Sequence, residues 1–112
     1  MTAGIAIRVR DFLLAHIDSI ELLEVLLMLA AKPETAFTAD EVSDHLRTAT
    51  PSARHRLRCL LEHGLVEVEG ELFRVRPDGG LAETLRQVSD AYREWRVTVV
   101  TLIYTRHRTA NA

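Results

Sequence analysis

The stretch 50–77, TPSARHRLRCLLEHGLVEVEGELFRVRP, changes both period and charge halfway along. Thr50 is placed to cap a helix, and Pro51 follows in the first turn, where a missing N–H costs nothing. Ala53, Leu57, Leu60 and Leu61 then recur on one stripe, and Gly64 stands where a left-handed terminator belongs. His55, Arg58, Cys59 and Glu62 fall on the opposite face, flanked by Arg54 and Arg56. Beyond Gly64 the alternation in LVEVEGELFRVR predicts two strands joined by a two-residue turn at Gly70-Glu71. Glycine at the first central position suits a type II′ turn. That register pairs Val66 with Val75, Val68 with Phe73, and Glu67 with Arg74. The helix face would attract a polyanion; the Glu69-Gly70-Glu71 tip would repel one.

Upstream, Phe37-Thr38 opens a helix at residues 39–47, with Thr38 and Glu41 forming a capping box and Phe37 positioned to staple onto Val42. The short break at 48–50 leads into the basic helix. Asp18 and Glu21 suggest another capping box, starting a helix over 19–31 that is apolar nearly all round and therefore central. Pro33 stops it. Ile5, Val9, Phe12 and His16 share one face of a short helix within 1–17, although alternation in Ile5, Ile7 and Val9 leaves a strand open. Downstream, Leu81, Leu85, Val88, Tyr92, Trp95, Val99 and Leu102 repeat at heptad spacing, predicting one long helix within 78–106. Residues 107–112 are expected to form a disordered tail.

This order, a buried helix, a capped helix, a tight turn, a basic helix, a hairpin and a long helix, resembles the winged helix-turn-helix domains of bacterial transcription regulators, broadly of the MarR type. The resemblance covers residues 18–77 and rests on 38–47, the turn, SARHRLRCLLEHGLV and the hairpin. It implies a mainly α fold with a small two-stranded β-wing, a recognition helix over 51–63, and a terminal helix that dimerises. In a helix-turn-helix the start of the recognition helix enters the major groove. Ser52, Arg54, His55, Arg56 and Arg58 are then the candidate DNA contacts, with Arg47 near the turn and Arg74 and Arg76 at the hairpin base. The heptad residues are the candidate dimer interface, joined by the first helix. A helix of 81–106 would be about 39 Å long, more than one small domain covers.

The acidic tip departs from the usual basic wing, so insertion of the tip into a groove is not expected. The competing reading is an adaptor module that holds a protein partner through Glu69 and Glu71 and the terminal helix, without binding DNA. The whole chain does not decide between the two. Its 112 residues carry 14 Lys+Arg against 16 Asp+Glu, a formal charge of −2, so any DNA contact depends on local charge. Thirteen of those cations are arginine, the residue suited to bidentate contacts.

The other classes find little support. No phosphate loop, nucleophile motif or paired carboxylates mark an enzyme, and no cofactor is expected. His55, Cys59 and His63 share a face, but together span about 12 Å, too far for one metal ion. His16, His45 and His107 form no readable set. The single cysteine excludes an internal disulfide and fits a reducing compartment. The apolar run 25–31 is far shorter than the roughly 20 residues that span a bilayer. A cytoplasmic location without membrane contact is expected.

Overall fold

The computed structural model describes residues 5–110, with side chains to 105. Six helices and one hairpin follow in the order α1 Ile7–His16, α2 Ile20–Ala31, α3 Ala39–Leu46, α4 Thr50–Glu62, β1 Val66–Glu69, β2 Leu72–Val75, α5 Gly79–Glu94 and α6 Arg96–Ala110. This is a winged helix with additional helices on either side. No described helix is long and apolar enough to cross a membrane.

The central helix is α2, whose Leu22, Leu23, Val25, Leu26 and Leu29 are all buried. It packs on α3, α4, β2 and α5. Its cap differs from expectation. Ser19, not Asp18, is the N-cap, and its hydroxyl accepts from the Leu22 amide at 3.1 Å. Glu21 is therefore one position too early for the box, and its carboxylate turns elsewhere.

The start of α3 agrees with the sequence. Thr38 Oγ1 accepts from the Glu41 amide at 3.1 Å, and Glu41 accepts from the Thr38 amide at 2.8 Å. Phe37, beside the cap, exchanges two 2.8 Å backbone bonds with Phe73, adding a single bridge to the hairpin. This link ties the wing to the start of the helix-turn-helix. Thr50 is already helical, so Ala49 is the N-cap of α4 and makes no side-chain cap. The α4 terminus is a Schellman motif: Leu65 N–H donates to Leu60 O and Gly64 N–H to Leu61 O, each at 3.0 Å, with Gly64 at φ 72.

The hairpin register is the expected one, pairing Val66 with Val75, Glu67 with Arg74 and Val68 with Phe73. Gly70 has φ 62, whereas Glu71 is not among the described residues with positive φ, which fits a type II′ turn and excludes type I′.

The C-terminal region departs most from expectation. The single long helix is two helices, broken at Trp95, whose φ of −129 and ψ of 45 are not helical. A straight helix would carry Val99 and Ile103 past the domain; after the break they are 0% and 3% exposed. Burying two such side chains contributes roughly 3–6 kcal/mol, more than the hydrogen bonding lost at a one-residue break. Arg96 secures the corner: its guanidinium lies 4.5 Å from the Tyr92 ring centroid and donates to Tyr92 Oη at 3.0 Å. Tyr92 Oη in turn donates to Glu24 of α2 at 3.2 Å.

The expected dimer seam is largely spent within the protomer. Leu85, Val88 and Val99 are buried, while Leu81, Tyr92 and Leu102 pack partly buried against the same core. They meet the chain's own helices, since α5 packs on α1 and α2 and α6 packs on α1 and α5. Of the seven, only Trp95 is an exposed large side chain, at 38%. The first helix is likewise engaged at home through Val9 and Leu13. The tail expected to be disordered is helical through Ala110; residues 111 and 112 lie outside the described ones.

Candidate nucleic-acid interface

The turn between α3 and α4 is built from small polar groups. Arg47 ends α3 in the left-handed region (φ 56, ψ 44). Such a conformation costs a residue with a Cβ roughly 1 kcal/mol. Ser43, buried in α3, compensates: its hydroxyl donates to Thr48 O at 2.5 Å and accepts from Thr50 Oγ1 at 3.2 Å.

Glu21 joins the turn and α4 to the central helix. Its carboxylate accepts from Thr48 Oγ1 at 2.6 Å, Ser52 Oγ at 2.5 Å and Arg56 Nε at 2.9 Å. These bonds, Ser52's foremost, hold its pKa down to about 2. Two expected DNA contacts, Ser52 and Arg56, are thus turned inward as positioning groups. The sequence carried a signal for this that spacing alone reveals. Ser52 and Arg56 stand four apart on α4 and so form one row beside the apolar stripe, with Thr48 of the turn just before it. A carboxylate on the facing helix completes it.

With that row inward and Ala53, Leu57 and Leu60 fully buried, α4 presents Arg54, His55 and Arg58 to solvent. Leu61, expected in the apolar stripe, is 37% exposed. Arg54 and Arg58 line a groove of about 290 Å³ with Thr38 and Asp40 at the start of α3 and Gly70 and Glu71 of the wing tip. The acidic tip therefore sits beside the basic face, a proximity that sequence separation concealed.

The remaining candidate arginines lie apart from this face. Arg47 is exposed in another groove with Glu24, His45 and Tyr92. Arg74 is held across the hairpin by Glu67, the pairing expected from the register, with Nε donating at 3.2 Å. Arg76 donates weakly to Gly64 O at 3.4 Å, at the end of α4. Cys59 Sγ is 3.8 Å from His55 Nε2, and burial, followed by the charges of Asp18 and Glu62, pushes its thiol pKa up, so it has little thiolate character.

One contact escaped the sequence reading. His16 at the end of α1 and His63 at the end of α4 approach with Nδ1 atoms 2.9 Å apart. That contact needs one nitrogen protonated and the other not. Burial, then the His63 charge, lowers the His16 pKa below 6.5. The unfolded chain thus takes up this proton first, so the contribution to stability is present above pH 6.5 and is lost as pH falls through the depressed folded value. Thermal unfolding should drop by a few degrees more between pH 7 and 5 in the wild type than in His16→Gln; superimposable pH profiles would refute the assignment.

Residues 22–70 match the IclR helix-turn-helix domain. The match runs from the first turn of α2 through α3, α4 and β1 to the wing tip, and stops short of β2. No curated protein and no solved structure matches the chain. Fold and match together place this segment among the winged helix-turn-helix domains of DNA-binding transcription regulators. The matched segment is similar to the IclR type; the MarR type, which the sequence resembles, receives no support.

Proposed function

We propose that this protein is a homodimeric transcription regulator that reads the major groove with α4. The observation that carries the reading is the division of labour on that helix: Ser52 and Arg56 are anchored on Glu21, which leaves Arg54, His55 and Arg58 together and exposed. Arginine is the commonest specific partner of guanine, and histidine beside it adds a further donor. Exposed Trp95 and Val97 at the α5–α6 corner, Tyr104 on α6 and Ile7 on α1 are the apolar side chains that a second copy would cover. Two copies would address half-sites about one helical turn apart.

The test is anisotropy of labelled random duplex DNA from about 50 to 200 mM salt, paired with light scattering of the free protein. Binding that weakens steeply with salt and a mass of two chains are expected. Salt-independent or absent binding defeats the DNA reading, and a monomer at tens of micromolar defeats the dimer.

A second reading, an adaptor that holds a protein partner, is favoured by the outer side of the wing. There Glu34, Glu67 and Glu69 border a groove with the exposed Val68 and Leu72, a surface suited to a basic, partly apolar peptide. Glu71→Gln separates the readings. Removing an acid beside Arg54 and Arg58 should tighten DNA binding about three- to tenfold at low salt, an effect screened at high salt. An unchanged DNA affinity would instead remove the wing tip from the DNA reading.

A further inference from the structure

The ends of α1 and α4 bring two imidazoles face to face. His63 is the C-cap of α4, and its N–H donates to Cys59 O at 3.0 Å just before the turn that closes at Gly64. His16 is the last residue of α1, with Ile17 fully buried behind it and the Phe12 ring centroid 4.8 Å from its own. Both backbones are therefore held by packing and hydrogen bonds. The rings meet nearly at right angles, 76° between planes, with the two Nδ1 atoms 2.9 Å apart.

That separation is close to the one a metal ion imposes. Two imidazole nitrogens at about 2.0–2.1 Å from a tetrahedral ion stand about 3.3–3.4 Å from each other, so the rings need to part by about half an ångström. His63 is exposed and His16 half-buried, which leaves water access to the gap. Burial and the His63 charge hold the His16 pKa below 6.5, so at neutral pH its ring is uncharged, as a ligand must be. Asp18, two residues after His16, and Glu62, next to His63, add negative charge nearby; both act on Cys59, one turn before His63. Among the described residues no three His, Cys, Asp or Glu side chains form a metal cage. Water must complete the coordination, which makes the site open and exchangeable.

We propose that His16 and His63 bind a divalent transition-metal ion, of which zinc is the representative, between their Nδ1 atoms. Both rings then carry their proton on Nε2, the tautomer that frees Nδ1 for the ion. Imidazole suits zinc, copper and nickel, whereas magnesium and calcium take oxygen ligands. The ion joins the end of α4 to the end of α1, and α1 packs on α5 and α6. Its binding stiffens the basic helix against the C-terminal helices.

The experiment is a zinc chloride titration of the full chain in a non-chelating buffer at neutral pH, read by NMR of the histidine ring nitrogens and by thermal unfolding. No DNA is present, so the outcome does not depend on the proposed function. The Nδ1 signals of His16 and His63 should shift together, while those of His45 and His55 stay in place. Zinc should raise the unfolding midpoint by about 5 °C at about ten times its dissociation constant, and magnesium should leave it unchanged. His16→Gln and His63→Gln should each abolish the response. Cys59→Ser should keep it, which sets the site apart from the neighbouring pair of Cys59 Sγ and His55 Nε2 at 3.8 Å. The ring signals of the wild type decide the matter even where a variant unfolds. No zinc response, shifts at His55 in place of His16, a full response in either histidine variant, or loss of it in Cys59→Ser overturns the proposal. A zinc-dependent doubling of mass by light scattering also overturns it, because the ion then lies between molecules.

Discussion

Changing Arg54 and Arg58 together to alanine is expected to weaken binding to duplex DNA about 100-fold near 0.1 M salt, since each exposed arginine contact contributes roughly 1–3 kcal/mol. The two side chains lie one helical turn apart on the exposed face of α4, and no ion pair within the chain competes for either among the described residues. Where they meet phosphates, each loss lowers the slope of log affinity against log salt by about 0.9, so the double variant flattens it by up to about 2. Where they meet guanines, the slope changes less and discrimination between sequences is lost instead. Stability should stay within about 0.5 kcal/mol, because neither side chain packs in the core. A variant that binds with wild-type affinity and slope would dismiss α4 as the reading helix.

The second large effect is on Glu21. Glu21→Ala leaves Thr48 of the turn, Ser52 in the first turn of α4 and Arg56 in its middle without their shared acceptor. The cost should be about 2–3 kcal/mol, some of it recovered by water because the Glu21 side chain is 27% exposed. Acid should reproduce the loss in the wild type. The folded pKa of about 2 lies below the ordinary value of 4.5, so the contribution is present above pH 4.5 and disappears as pH falls towards 2. Urea unfolding of both proteins at pH 7 and pH 3 measures this directly. The gap between wild type and Glu21→Ala should narrow at the lower pH; a constant gap would show that the carboxylate's charge contributes nothing. At neutral pH the variant should also bind DNA less well, since α4 loses the row of bonds that sets its rotation about its own axis.

These expectations separate what was legible from what was not. The capping box at Thr38, the Schellman end at Gly64 and the hairpin register were readable because each is decided within a few residues by hydrogen-bonding chemistry and φ preference. The cap of α2 lies one residue beyond the position the sequence suggests, because Asp18 and Ser19 are both competent caps. Glu21 instead holds Ser52 and Arg56 of α4, which spacing within α2 could not foretell. The heptad residues carry an apolar pattern that the chain's own helices largely cover. Periodicity specifies that a face is buried; it does not say whether the covering helix belongs to the same chain.

The sequence by itself determined the winged helix-turn-helix, because its turns, caps and alternating runs are local instructions that leave little choice of element. It also determined which helix is basic and which hairpin is acidic. Only the tertiary structure decided which arginines of that helix face solvent, that the wing tip lies beside them, and that the last helix breaks at Trp95. The physical reason is common to all three. Each depends on which apolar and polar groups from distant parts of the chain must be buried or paired together, and that is a property of the assembled core.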